Sequence, residues 1–193
     1  MNKVILLYGM PAAGKLTIAK MIANQPDHYL IDNHYVHDFV RPFIGSHEGA
    51  REYWDIAGNI FEGLIKAVAL FYPKDKPVTY VFTQVIRDNE NGPKEVERYT
   101  NFAKAINGQF IPIALTPNYE TRKSRCVDEK RKQRKKIHTI EKMDRVIGEH
   151  SKLIEIENSL FLDTTNMSIE QTHDAVMEHI AKIIFNRNSK VGK

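Results

Sequence analysis

Cysteine is almost absent. Cys126 is the only one among 193 residues, which excludes an intrachain disulfide and removes the usual mark of a secreted fold. Long apolar runs are missing too: the longest, Val4–Tyr8 and Ala67–Tyr72, fall far short of the ~20 residues that cross a bilayer. The amino terminus opens on a strand-like run, without the charged stretch, apolar segment and small-residue cleavage site of a leader. No Pro/Gly/Ser-rich linker, internal repeat or low-complexity tract divides the chain. With 42% hydrophobic residues, enough for one packed core, the expectation is a single cytoplasmic domain over residues 1–185 without membrane contact. Residues 186–193 are expected to be a frayed tail. Composition leaves monomer and homodimer equally open.

The positive charge is unevenly spread. Residues 122–136 hold nine Lys and Arg against Asp128 and Glu129, a local +7 within a total of +4, so the remainder of the chain carries −3. A concentrated basic segment attracts polyphosphate or nucleic acid; its plainer explanation is a solvated helix face.

Short β-branched and aromatic runs alternate with helical patterns, the sign of a parallel sheet wrapped by helices. Strands are predicted at Lys3–Tyr8, Tyr29–Asp32, Val78–Val85, Phe110–Leu115 and Leu160–Asp163, several apolar at consecutive positions as strands covered on both faces require. Helices are predicted over 15–24, over 50–72, where Tyr53, Ala57, Ile60, Leu64 and Val68 recur on one face, and over 93–107. Thr116-Pro117 reads as a cap and first-turn proline opening a helix into the basic segment. Ser168-Ile169-Glu170-Gln171 has capping-box spacing before a last helix ending near Phe185. The predicted class is therefore α/β, a three-layer α/β/α architecture with five parallel strands and a basic lid over about 118–140.

Gly9-Met10-Pro11-Ala12-Ala13-Gly14-Lys15-Leu16-Thr17 follows the first strand and precedes a helix. In that context glycines let the backbone turn several N–H groups inward, the helix dipole adds partial positive charge, and Lys15 reaches the β- and γ-phosphates of a nucleotide. Gly9, Pro11, Ala12, Ala13, Gly14, Lys15, Leu16 and Thr17 are thus the candidate ATP-binding residues. Leu16 stands where a magnesium-ligating Ser or Thr is usual. The metal must then rest on Thr17, water, phosphate oxygens and a carboxylate from elsewhere.

A non-hydroxyl residue between Lys and Thr, with proline in the loop, resembles the nucleoside-monophosphate kinases, whose pattern is G-x-P-G-x-G-K-G-T. Ala12 and Leu16 replace two of its glycines. Thr83-Gln84-Val85-Ile86-Arg87 differs from the Asp-Gly-Phe-Pro-Arg of adenylate kinase, and the guanine-reading N-K-x-D motif is absent. Asp55-Ile56-Ala57-Gly58 mimics a GTPase switch motif but lies in a helical pattern. Across nearly the whole chain the sequence resembles small P-loop kinase-like proteins, loosely AAA-type or shikimate-kinase-like. The shared features are G-x-P-A-x-G-K-L-T, an Asn-His pair after the second strand, a basic lid, and Asp163-Thr164-Thr165-Asn166 after the fifth. The resemblance implies ATP- and Mg²⁺-dependent phosphoryl transfer, and it implies that residues 164–166 meet the adenine edge, where a simple turn is an equal local explanation.

In this architecture ligands meet at the carboxyl ends of the strands. Asp32 is the first candidate for accepting a proton from the substrate hydroxyl or holding magnesium, His34 the second, and a helix cap is the competing role for Asp32. Asn33, His34, Arg87, Asp88 and Lys136 are candidate acceptor contacts. His34 and His37 have metal-pair spacing but no third ligand of recognisable spacing. Arg125, matched to the family's lid, is expected on nucleotide phosphates and Arg131 on the transferring phosphoryl group, while Arg122 shares a helical face with Arg125. Lys15, Asp32, Arg125 and Arg131 are thus the candidate catalytic set. The leading expectation is a kinase acting on a small molecule. The alternatives are a polynucleotide 5′-kinase, disfavoured because only Tyr119 lies near the basic cluster, a toxin-like kinase of a nucleotide sugar, and a nucleotide-binding switch without transfer activity.

Overall fold

Strands that are apolar at successive positions bury both faces, and the computed structural model, which describes residues 1–44, 50–128, 137–147 and 152–191, is organised around five of them. They are β1 (Asn2–Tyr8), β2 (His28–Asp32), β3 (Thr79–Gln84), β4 (Gly108–Leu115) and β5 (Leu160–Leu162). All pair in parallel, in the order β2-β3-β1-β4-β5. Leu6 lies opposite Phe82 on one side and Pro112 on the other, and Asp32 lies opposite Thr83.

Alternation along each strand feeds two cores. Val4, Leu6, Tyr8, Tyr80 and Phe82 face one layer, where they pack against Val36 and Val40 of α2 (His34–Ile44), Tyr53, Ala57, Phe61 and Ile65 of α3 (Arg51–Phe71), and Tyr99 and Phe102 of α4 (Gly92–Ala105). Ile5, Leu7, Val81, Ile111, Ile113 and Leu115 face the other, against Ile18, Ala19 and Ile22 of α1 (Lys15–Ala23) and Val176 and Ile180 of the last helix. The layered α/β class predicted from the sequence is the one observed.

Three local expectations change. The helix after β4 is α5 (Tyr119–Cys126), and its cap is Asn118, whose side chain accepts from the Thr121 N–H at 2.8 Å. Thr116 does not cap it, because its N–H still continues the sheet to Leu162 O (2.9 Å). The last helix, α7 (Ile169–Val191), passes through the stretch expected to fray, running on beyond Phe185. Its predicted capping box is formed on both sides: Gln171 N–H donates to Ser168 Oγ (3.1 Å) and Ser168 N–H to Gln171 Oε1 (2.8 Å). Two helices were not anticipated, α2, with Pro42 in its last turn, and α6 (Ile140–Ile147). Among the described residues no helix is long and apolar enough to cross a membrane.

Candidate functional site

Chain order places the β1–α1 loop at the centre of the sheet's carboxyl edge, between β3 and β4. Close approach dictates its first glycine: a Cβ on Gly9 would lie 2.5 Å from Leu115 O. Gly14 adopts φ 96°, the left-handed conformation that opens α1, and Ala12 also takes a positive φ of 64°. No side chain caps α1 and no acidic residue sits in its first turn, so its amino-terminal N–H groups face the loop, a fitting seat for an anion. Lys15 Nζ folds back over the loop and donates to Gly9 O (2.7 Å) and Met10 O (3.0 Å).

A cleft of about 1630 Å³ opens from this loop. Pro11 through Thr17 line one end, Asp32, Asn33 and His34 the middle, and Arg87 the far side. Asp32 is 4% exposed. Its Oδ1 accepts from the Thr83 hydroxyl (2.7 Å), from the His34 ring (3.2 Å) and, weakly, from the His34 N–H (3.4 Å) at the start of α2. The capping role and the position in the cleft therefore coexist. Asn33 Nδ2 donates to Gln84 Oε1 (2.9 Å), which ties the ends of β2 and β3 together.

Arg125 spans the end of the cleft beside the β1–α1 loop. Its guanidinium donates to Thr164 O (3.0 Å) and, at 3.5 Å, to Ala13 O, and Nη1 lies 3.8 Å from where a Gly14 Cβ would be. Burial lowers its pKa without threatening its charge. Ala12 packs with Cys126, Met143 and Ile137, so the end of α5 and the start of α6 rest directly on the β1–α1 loop. Thr164 is buried in the cleft wall and Thr165 N–H closes a turn onto Asp163, whereas Asn166 does not line the cleft.

Other predicted residues fall outside this arrangement. Asp88 is exposed away from the cleft, its N–H bound to Lys152 O (2.9 Å). His37 does line the cleft, but its ring is engaged in packing: it shares a 2.9 Å hydrogen bond with the Tyr53 hydroxyl, stacks on the Tyr53 ring and meets Trp54 edge-on. Arg122 turns from Arg125's direction and lies over the Tyr119 ring, whose hydroxyl donates to Asp144 (2.8 Å). Arg131 and Lys136 lie outside the described residues. Among the described residues no group of three His, Cys, Asp or Glu is arranged for a metal. Thr17, exposed on the cleft, and Asp32 are both hard oxygen donors, so the set suits magnesium carried chiefly by phosphate oxygens and water.

Sequence reasoning missed much of the rest of the cleft: Thr83 behind Asp32, and Glu62, Lys94, Glu95 and Arg98 on the wall. The available signal on α4 was the i, i+3, i+4, i+7 spacing of Asn91, Lys94, Glu95 and Arg98, a polar stripe that continues into the Tyr99 and Phe102 core face one turn later.

No protein-family model and no curated protein sequence matches the chain. Solved structures do. A candidate kinase from Chloroflexus aurantiacus superposes with a TM-score of 0.63 at 16% identity, covering 92% of this chain and 98% of the other. A gluconokinase from Sinorhizobium meliloti gives 0.59 at 11% identity, covering 97% of each. The APS kinase of Mycobacterium tuberculosis, in complex with AMPPNP and APS, gives 0.56 at 13% identity over 93% and 98%. At such identities the likeness speaks for architecture, and it agrees with the strand order and the glycine-lysine loop at the sheet's centre: the chain has the fold of the P-loop kinases.

Proposed function

We propose that the protein is an ATP-dependent phosphotransferase acting on a small-molecule acceptor. The observation that carries this reading is the sharing of one cleft by an uncapped helix terminus with its lysine and a carboxylate held at the adjacent strand end. Kinases of the same fold act on small molecules, and one of them is described with AMPPNP, which favours a nucleoside triphosphate as donor here.

On this reading the backbone N–H groups of Ala12, Gly14, Lys15 and Leu16 and the Lys15 ammonium hold the β- and γ-phosphates, and Lys15 exchanges its bonds to Gly9 O and Met10 O for phosphate oxygens. Thr17 and Asp32 hold magnesium, directly or through water. When bound, the ion neutralises charge on the phosphate chain. Asp32, oriented by Thr83 and His34, accepts the proton of the acceptor hydroxyl. The acceptor oxygen bonds to the γ-phosphorus, the bond from that phosphorus to the β–γ bridging oxygen breaks, and ADP leaves. Arg125 clamps the nucleotide end between the loop and the segment that follows β5.

Incubation with γ-labelled ATP, magnesium and a pool of small metabolites tests the reading. Label should move into new small molecules with the native chain and not with Asp32→Asn. Label released only as inorganic phosphate, equally by both proteins, would refute it.

A further inference from the structure

The acceptor end of the cleft is an organised charge cluster. Three segments define it: the corner at residues 87–92 brings Arg87, Asn89 and Asn91 to the cleft, α4 presents Lys94, Glu95 and Arg98 from one stripe, and α3 supplies Glu62. The corner is fixed by backbone. Asn89 Oδ1 accepts from the N–H groups of Asn91 and Gly92 (both 3.1 Å), and a Cβ on Gly92 would lie 2.2 Å from Arg87 O. Arg87 is further held by its bridge to Leu153. Arg98 Nε donates to Glu62 Oε2 (2.8 Å), which locks one cation in place.

Glu95 is the unusual member. Its Oε2 is buried and has no hydrogen-bond partner. A carboxyl oxygen left so costs free energy unless a ligand or a bound water satisfies it. Burial raises the Glu95 pKa, and the nearby Arg98 and Arg87 oppose that rise only in part. When protonated, it is a hydrogen-bond donor as well as an acceptor. Arg87, Lys94 and Arg98 outnumber Glu62 and Glu95, so the wall is net positive even when both carboxyls are ionised. It offers attraction for one anionic group and directional bonds for hydroxyls, with little apolar surface among these five residues.

We propose that Glu62, Arg87, Lys94, Glu95 and Arg98 form the acceptor subsite, that it takes a small hydroxylated molecule bearing one anionic group, and that Glu95 is its specificity-determining residue. This rests on the phosphotransferase reading for the identity of the bound molecule as acceptor, but not for its binding. Asp32 meets the reacting hydroxyl, Arg87 and Lys94 the anionic group, and Glu95 a second hydroxyl.

The test uses direct binding as well as transfer. The intact chain, loaded with magnesium and a non-hydrolysable ATP analogue, is titrated calorimetrically with a panel of sugars and polyols and with their sugar-acid and sugar-phosphate counterparts. The same panel is offered with γ-labelled ATP. The expected result is binding of one or more anionic members and none of their neutral counterparts. Arg87→Met and Glu95→Ala should each weaken that binding about tenfold to a hundredfold, as expected for losing a charged or buried hydrogen bond. Glu95→Gln, which still donates and accepts, should restore most of it. Neutral members binding as well as anionic ones, no binding by any anionic member, or Glu95→Ala binding like the native chain would overturn the proposal. Binding with this pattern but without label transfer would uphold the subsite and refute the phosphotransferase reading, so the two failures are distinct.

Discussion

Replacing Gly9 by alanine probes how the phosphate loop is seated. The added Cβ would lie 2.5 Å from Leu115 O and 3.2 Å from the Ala13 Cβ. The first is a backbone atom of a central strand, so the loop has to move. Overpacking of this kind costs about 1–3 kcal/mol, and the upper half of that range is expected because neither neighbour is a flexible side-chain end. For a chain of this size each kcal/mol lowers Tm by roughly 2–4 °C, so the fall should be about 4–12 °C. Nucleotide affinity should fall with it, since the displaced loop no longer presents its N–H groups together. Gly63→Ala is the matched control: it is an exposed position within α3 where an added Cβ meets nothing within 4 Å. Alanine there should stabilise by about 0.5–1 kcal/mol, a rise in Tm of roughly 1–4 °C. Calorimetric melting of both variants beside the native chain decides the matter. A Gly9→Ala protein that melts at or above the native temperature and binds nucleotide normally would refute the close-approach argument.

Thr83→Val keeps the shape but removes the hydroxyl that donates to Asp32 at 2.7 Å; denaturant titration should show a loss of about 1.5–3 kcal/mol, with slower phosphoryl transfer. Ser168→Ala removes half of the capping box of α7 and should cost about 1 kcal/mol by the same measurement. Glu95→Gln tests the buried carboxyl. Because burial raises its pKa in the folded chain, Glu95 contributes stability below the unfolded value, and this is lost as pH rises through the folded value. The Gln variant should therefore melt no lower than the native chain near neutral pH, and its relative advantage should shrink as pH falls towards about 4. An advantage that grows on acidification would contradict this.

The core strands were legible because burial on both faces leaves an unmistakable local mark: Val4 through Tyr8 are apolar without a break, and each finds a core. The phosphate loop was equally legible, since Gly14 and Lys15 answer local demands of backbone and charge and Gly9 completes the same short spacing. Asn118 eluded the reading because Thr116-Pro117 has the form of a helix start, and only β5 pairing shows that Thr116 still belongs to the sheet. The helix α2 was hidden by Pro42 and by aromatic residues on several sides, Tyr35, Phe39 and Phe43 being exposed while Val36 and Val40 are buried. The place of Asp32 at the end of β2 was legible, but not its bond from Thr83, because that bond depends on the register between β2 and β3. The Glu62–Arg98 pair links two helices 36 residues apart in sequence, and no local pattern announces it.

The proposed phosphotransferase activity depends on the loop from Gly9 to Thr17 holding a polyphosphate chain. Calorimetric titration of the native chain and Lys15→Ala with Mg²⁺–ATP and with AMP is the most direct measurement of that. The native chain should bind ATP at least about tenfold more tightly than AMP, and Lys15→Ala should lose most of that preference. Equal affinity for ATP and AMP in the native chain, or an ATP affinity unchanged by Lys15→Ala, would contradict it.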